Sequence, residues 1–261
     1  AYSKWKSFSF SEKSNLFRKL AEVLRSNKEE YAKLMTVEMG KPIRESTGEV
    51  EKCAWLCDAL AENGQGWLSD EEVQADGKKH ILTFEPLGTI FIIMPWNFPF
   101  WQAFKVALPP LMAGNTIILK HAKNVSGCSL AIEDSFKKAN FPKDVFRSVI
   151  MENSDTSELI ASNYVQACSL TGSVAAGSIV AAESGKNIKN RNTIRLAISS
   201  RQLFSLFVVH HVIFHRSIVP SPRGYPLPLL FYNLVKLQLK MNKERTLTPL
   251  SCRGKHSFRR G

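Results

Sequence analysis

Acidic residues are almost missing from one end of this 261-residue chain. Between Asn190 and Gly261 only Glu244 opposes thirteen lysines and arginines, alongside four of the six histidines and five of the twelve prolines. Residues 1–189 carry 22 bases and 22 acids, so the net charge of +12 belongs wholly to the last segment. A neutral first part excludes bulk electrostatic attraction to nucleic acid as its organising property. A disulfide framework is missing as well. Cys53 and Cys57 stand four apart, Cys128, Cys168 and Cys252 are isolated, and no scaffold spacing emerges. The thiols are therefore expected to be reduced, which points to a cytoplasmic setting with an organelle left open. No second pair accompanies Cys53 and Cys57, so no metal site is expected. Long apolar runs are also lacking. Leu203–Phe214 is interrupted by His210-His211 and falls short of the about 20 residues a bilayer requires. Tyr2–Ser11 has no apolar core of a secretory signal, and the start at Ala1 rather than Met suggests a fragment or a processed product.

What is present is enough apolar residue, 44% of the chain, for a sizeable core. Ser11 is a candidate N-cap, followed by Leu16, Phe17, Leu20, Val23 and Leu24 at helical spacing. Lys28–Glu38 predicts a second helix ending at Gly40, and Pro42 opens a third that runs toward Trp67. These three form a helical entry layer. Gly77–Lys79 predicts a turn and His80–Glu85 a strand. From Thr89 strands and helices alternate: strand Thr89–Met94, helix Trp101–Met112, strand Thr116–Lys120, helix Val125–Ala139 with Ser126 as a cap. Strand Val145–Ile150, helix Ser154–Ser162, strand Val165–Leu170 and a small-residue helix Ser173–Ser184 closed by Gly185 follow. That pattern predicts an α/β fold, a doubly wound, Rossmann-like parallel sheet that binds ligands beyond the carboxyl ends of its strands.

Three loops leave those ends. In Met94-Pro95-Trp96-Asn97-Phe98-Pro99 two prolines stiffen the exit from a strand and hold one amide side chain. Such an amide could donate to a developing negative charge, or simply bond its own backbone in a turn. Lys120-His121-Ala122-Lys123 ends its strand on a cation, either functional or solvated. Thr171-Gly172-Ser173 precedes a helix that carries Gly177, and backbone amides at such a helix start can receive a pyrophosphate.

Together, Glu38-Met39-Gly40-Lys41-Pro42, Glu85-Pro86-Leu87-Gly88, Pro95-Trp96-Asn97-Phe98-Pro99, Ala113-Gly114-Asn115-Thr116, Lys120 and Thr171-Gly172-Ser173 resemble the aldehyde dehydrogenase superfamily in order and spacing over roughly residues 1–189. Lys41-Pro42-Ile43, Cys53-Ala54-Trp55 and Lys120-His121-Ala122 with Asn124-Val125 are most similar to its succinate-semialdehyde dehydrogenase-type bacterial members. The resemblance implies NAD(P)-dependent oxidation of an aldehyde to the acid, and homo-oligomers. It implies that Asn97 is the oxyanion-hole amide and that Ile93, Met94, Pro95 and Trp96 form the wall beside the nicotinamide. Lys120 would bond the adenosine ribose, Gly172 and Ser173 the pyrophosphate, and Gly177 would permit close helix–cofactor approach. Lys123 replaces an acid common in NAD-using members. A lysine can pair with a 2′-phosphate that a carboxylate would repel, so NADP is favoured over NAD; a solvated Lys123 is the alternative.

The resemblance stops near Lys189. Where the family has a strand ending Leu-Glu-Leu-Gly-Gly with its general base, this chain reads Asn190-Arg191-Asn192-Thr193-Ile194-Arg195-Leu196-Ala197. Pro226–Leu230, where the nucleophilic cysteine is due, contains none, and Cys252 lacks the expected flanks. The other cysteines are expected to be buried structural thiols. Residues 1–189 are thus expected to be the cofactor-binding region and 190–261 a non-homologous, poorly ordered basic tail, inactive alone. The tail resembles out-of-frame or read-through sequence, with an authentic alternative C-terminus as the competing account. A binding module whose tail contacts nucleic acid or acidic surfaces is the alternative function, although no aromatic–basic motif supports nucleic acid.

Overall fold

A reciprocal capping box opens the main helical layer of the computed structural model, which describes residues 1–72 and 81–187. The Ser9 hydroxyl accepts from the Glu12 amide at 3.2 Å, and the Glu12 carboxylate accepts from the Ser9 amide at 2.7 Å. Helix α2 (Phe10–Ser26) therefore starts after Ser9 rather than Ser11, because only Ser9 has a carboxylate three residues on. Before it, the short α1 (Tyr2–Lys6) buries Trp5, whose indole N–H donates to Leu111 O at 3.0 Å. Helix α3 (Lys28–Met39) ends at Gly40, in the left-handed region at φ 75° as a C-terminal glycine allows. Helix α4 (Ile43–Trp67) follows Pro42 and packs on α2 and α3. Phe17, Leu20 and Leu24 of α2, and Val50, Cys53, Ala54 and Cys57 of α4, are buried.

A two-stranded ladder pairs β1 (Glu71–Glu72) with β2 (Ile81–Leu82). The strand expected over His80–Glu85 is thus confined to two residues. Thr83–Glu85 runs on toward Pro86 outside any strand, and His80 and the Gly77–Lys79 turn lie outside the described residues.

The alternating part follows as β3 (Thr89–Met94), α5 (Pro99–Met112), β4 (Thr116–His121), a 3₁₀ turn (Lys123–Val125), α6 (Ser126–Lys138), β5 (Phe146–Val149), α7 (Thr156–Ala161), β6 (Val165–Leu170) and α8 (Val174–Lys186). The sheet order is β5-β4-β3-β6, and every pairing is parallel. The doubly wound reading holds. Ile90, Phe91, Ile92 and Met94 are all buried, as expected for a strand with both faces covered. From β3 the chain steps outward to β4 and β5, then crosses back to lay β6 on the other side of β3. The direction reverses between β3 and β6, and doubly wound sheets bind ligands at such a switch.

Two helix ends depart from expectation. Ser126 does not cap α6: its hydroxyl donates to Lys123 O at 2.7 Å. The Glu38 carboxylate of α3 accepts instead from the Gly127 and Cys128 amides at 2.6 and 2.8 Å, so a distant side chain supplies the cap. Helix α8 runs through Gly185 to Lys186. Leu130 is 53% exposed, because Cys128, Ser129, Ile132, Glu133 and Phe136 form the inward face of α6 and Leu130 lies off it. Cys53, Cys57, Cys128 and Cys168 are free and buried, as expected. The tail from Asn190, including Cys252 and Leu203–Phe214, lies outside the described residues.

Candidate functional site

Register places three loops level with one another. Ile93 of β3 stands opposite Lys120 of β4 on one side and Leu170 of β6 on the other. Two loop amides continue these ladders: Thr171 N–H donates to Ile93 O at 3.0 Å, and Ala122 N–H to Met94 O at 3.1 Å. Pro95–Phe98 and Thr171–Ser173 therefore flank the reversal point, and Ala122–Lys123 lies beside them.

Asn97 is exposed, and among the described residues its side-chain amide makes no hydrogen bond. The self-bonded turn is not what the loop adopts. The backbone around it is held from below. Glu49, buried on α4, accepts from the Phe100 and Trp101 amides at 2.9 Å each, which satisfies two donors at the start of α5. The same carboxylate pairs with Lys41, and both side chains are at most 5% exposed. Lys41 Nζ also donates to Asn97 O at 3.2 Å and lies 3.7 Å from the centre of the Phe98 ring. From the sheet side, His121 bonds Pro99 O at 2.9 Å through Nε2. A carbonyl can only accept, so Nε2 carries the proton, while Nδ1 accepts from the Ala122 amide.

Burial pushes the His121 imidazole below its ordinary range, more than the Pro99 carbonyl raises it. A histidine lowered in the folded state binds fewer protons there than when unfolded, so its contribution is present above the unfolded range and is lost as pH falls from there through the lower folded value. Urea unfolding should therefore show a falling midpoint between about pH 7.5 and about pH 5.5, above the carboxylate range. His121→Gln should flatten that part of the profile; an unchanged slope would place its cause elsewhere.

Lys120 is not a solvated charge. It is 4% exposed, and its Nζ donates to Asn153 Oδ1 at 2.8 Å. Burial, then the neighbouring Lys123, pushes its ammonium below the usual lysine range, against the pull of Glu152 and Asp155. Lys123 is exposed but engaged in an ion pair with Glu152. Ser173 caps α8, its hydroxyl accepting from the Ala176 amide at 3.2 Å, and the buried Gly177 donates its N–H to Ser173 O at 2.9 Å. Gly172 directly precedes Ser173, and an added Cβ there would touch Leu170 at 3.4 Å. Of the wall residues, Trp96 is half exposed and Ile93 and Pro95 are partly buried, but the Met94 side chain belongs to the core. Met94 can face a ligand only through its backbone.

Sequence reasoning missed Glu49, Glu38, Asn153 and Glu152. Glu38 and Lys41 sat in a recognised motif without a role, and nothing local marks Glu49, whose two amide partners lie about fifty positions away. Among the described residues there is no cluster able to hold a metal ion, and no helix is long and apolar enough to cross a membrane.

Comparison with known proteins agrees with this fold. Residues 1–194 match the model of the aldehyde dehydrogenase family. A Synechocystis sp. protein named probable succinate-semialdehyde dehydrogenase (NADP(+)) is 43% identical over 180 residues, covering 69% of this chain and 40% of its own length. The Escherichia coli succinate semialdehyde dehydrogenase (NAD(P)+) is 39% identical over 185 residues, covering 71% and 40%. Among solved structures, succinic semialdehyde dehydrogenase from Streptococcus pyogenes, in complex with NADP+, superposes with a TM-score of 0.71 at 28% identity, covering 76% of this chain and 42% of that one. The chain thus spans about two fifths of the length of these curated relatives. The matched residues include the switch point and all three loops, and the chain belongs to the aldehyde dehydrogenase family.

Proposed function

We propose that residues 1–189 form the nucleotide-binding, oxyanion-presenting part of an aldehyde dehydrogenase that acts on succinate semialdehyde or a similar aldehyde. The observation that carries this reading is the level emergence of the Asn97, Lys120 and Ser173 loops at the reversal between β3 and β6. The residues suit a dinucleotide: a capped helix start at Ser173 for the pyrophosphate, buried Lys120 for the adenosine ribose, and Lys123 beside it for a 2′-phosphate. Bound NADP+ would supply the hydride acceptor. Asn97, with an unspent amide, would donate to the oxygen of the attacked carbonyl; removing such a donor costs about 2.7–4 kcal/mol of transition-state stabilisation. No counterpart of the family's general base or nucleophilic cysteine stands after Lys189. We therefore expect no aldehyde oxidation by this chain alone, and turnover abolished by Cys252→Ala would overturn that view.

Calorimetry with NADP+ and NAD+ tests the nucleotide site. NADP+ should bind about tenfold more tightly through one charge-assisted contact, and Glu152→Gln, which frees Lys123, should widen the gap by tightening NADP+ alone. Equal affinities would remove the preference, and no binding of either would remove the site.

A further inference from the structure

Between α4 and α5 lies an amine that neither the nucleotide loops nor the Asn97 amide uses. Lys105 stands on α5 one helical turn after Trp101 and is partly exposed, within reach of a small solute. Lys52 of α4 reaches across to the same ring, its Nζ 3.9 Å from the centre of Trp101. Neither lysine forms an ion pair among the described residues. Glu49 is the one carboxylate that acts on Lys52, and it is committed to Lys41 and the two amides of α5. The two amines are thus neighbours without an anion between them.

We propose that Lys105 is a carboxylation site, at which dissolved carbon dioxide adds to the side-chain nitrogen and the resulting carbamate pairs with Lys52. The nitrogen lone pair attacks the carbon of CO2, an N–C bond forms, and one C=O π pair moves onto oxygen. The amine gives one proton to water, so R-NH2 and CO2 become R-NH-COO− and H+, with nothing oxidised or reduced. The neighbouring cation singles out this addition. Acylation would leave Lys105 neutral, and an imine could still carry a positive charge, so neither would answer Lys52. Of the three adducts only the carbamate reverses the charge at Lys105, and it accepts a charge-assisted hydrogen bond from Lys52. The face of α5 that carries the pair changes from doubly positive to neutral. The state of the amine agrees. Burial, and then Lys52, bring the Lys105 ammonium down to about 8. At about pH 7.4 roughly one amine in five is then the neutral nucleophile, against about one in a thousand for an ordinary lysine. The assignment goes beyond the aldehyde-oxidising reading and does not rest on it.

The test equilibrates the full chain with ¹³C-bicarbonate, traps carbamates with triethyloxonium ion and maps the peptides by mass spectrometry. The ethoxycarbonyl adduct should appear on Lys105 at about tenfold or more the level on the exposed Lys33 and Lys143. Before trapping, ¹³C NMR should show a protein carbamate resonance besides that of the α-amino group, and Lys105→Arg should remove it. Lys52→Met should lower the occupancy about tenfold, as loss of a hydrogen bond to a charged group does, and Lys52→Arg should keep most of it. No adduct on Lys105, equal adducts on the exposed lysines, or an occupancy indifferent to Lys52→Met would each overturn the site. Should Lys52→Met fail to fold, the peptide map of the unsubstituted chain decides, with Lys105→Arg as its blank.

Discussion

Glu49→Ala should destabilise the chain by about 3–5 kcal/mol, the range for breaking a buried ion pair from one side. The carboxylate is 2% exposed and carries three partners at once: Lys41 and the amides of Phe100 and Trp101. Its removal strands an ammonium in the interior and leaves two donors at the start of α5 without an acceptor. Lys41→Met should cost less, because the remaining carboxylate keeps both amides and the positive end of the helix dipole. Lys41→Met combined with Glu49→Gln should be milder than Glu49→Ala, since it strands no charge and the glutamine oxygen can still accept. Urea unfolding of the four proteins orders them. A loss below about 1 kcal/mol for Glu49→Ala would mean that water replaces the pair, as it does at surface ion pairs. The consequence reaches the site, because Lys41 also holds Asn97 O and the Phe98 ring. The loop that carries the Asn97 amide is thus held by a charge pair at its far side.

Asn115→Ala should cost about 2–6 kcal/mol, about 1–3 kcal/mol for each of the two backbone donors it orphans, the half-buried Leu87 amide and the buried Gly88 amide. The side chain is 1% exposed and joins two motifs that the sequence shows 27 positions apart. Its oxygen accepts from the Leu87 and Gly88 amides at 2.7 and 3.1 Å, and its nitrogen donates to Pro110 O at 3.0 Å. It fixes the turn that delivers β3 into the sheet. Gly88 takes φ 136° there, a conformation closed to most side chains, and an added Cβ would lie 2.7 Å from Gln166. Asn115→Asp should fall between, because it keeps the acceptor but sets an oxygen against the Pro110 carbonyl. Thermal unfolding reads the result at about 2–4 °C per kcal/mol for a chain of this size. A shift under about 2 °C for Asn115→Ala would sink the account.

Much of the fold was legible because it is local. Thr89–Met94 is a continuous apolar run that only a strand covered on both faces explains, and Pro95 and Pro99 bound the loop after it. Val165–Leu170 was placed to the residue. The miscalled ends were those decided at a distance. Ser126 looked like a cap, yet Glu38 from another helix does that work. Ser11 looked like a cap, yet the serine two positions earlier has the matching glutamate.

The chain's own residues determined the order of its elements and the three loops at the carboxyl ends of its strands, since proline, glycine and apolar period act within a few positions. Tertiary structure decided that β6 returns beside β3, which brings three separate loops level at one end of the sheet. It decided that Lys120 is buried rather than solvated, and that Lys123 is paired with Glu152. It also decided that Lys41, paired with Glu49, secures the Asn97 carbonyl. Burial and charge pairing depend on which distant segments the core brings together, and no local spacing records them.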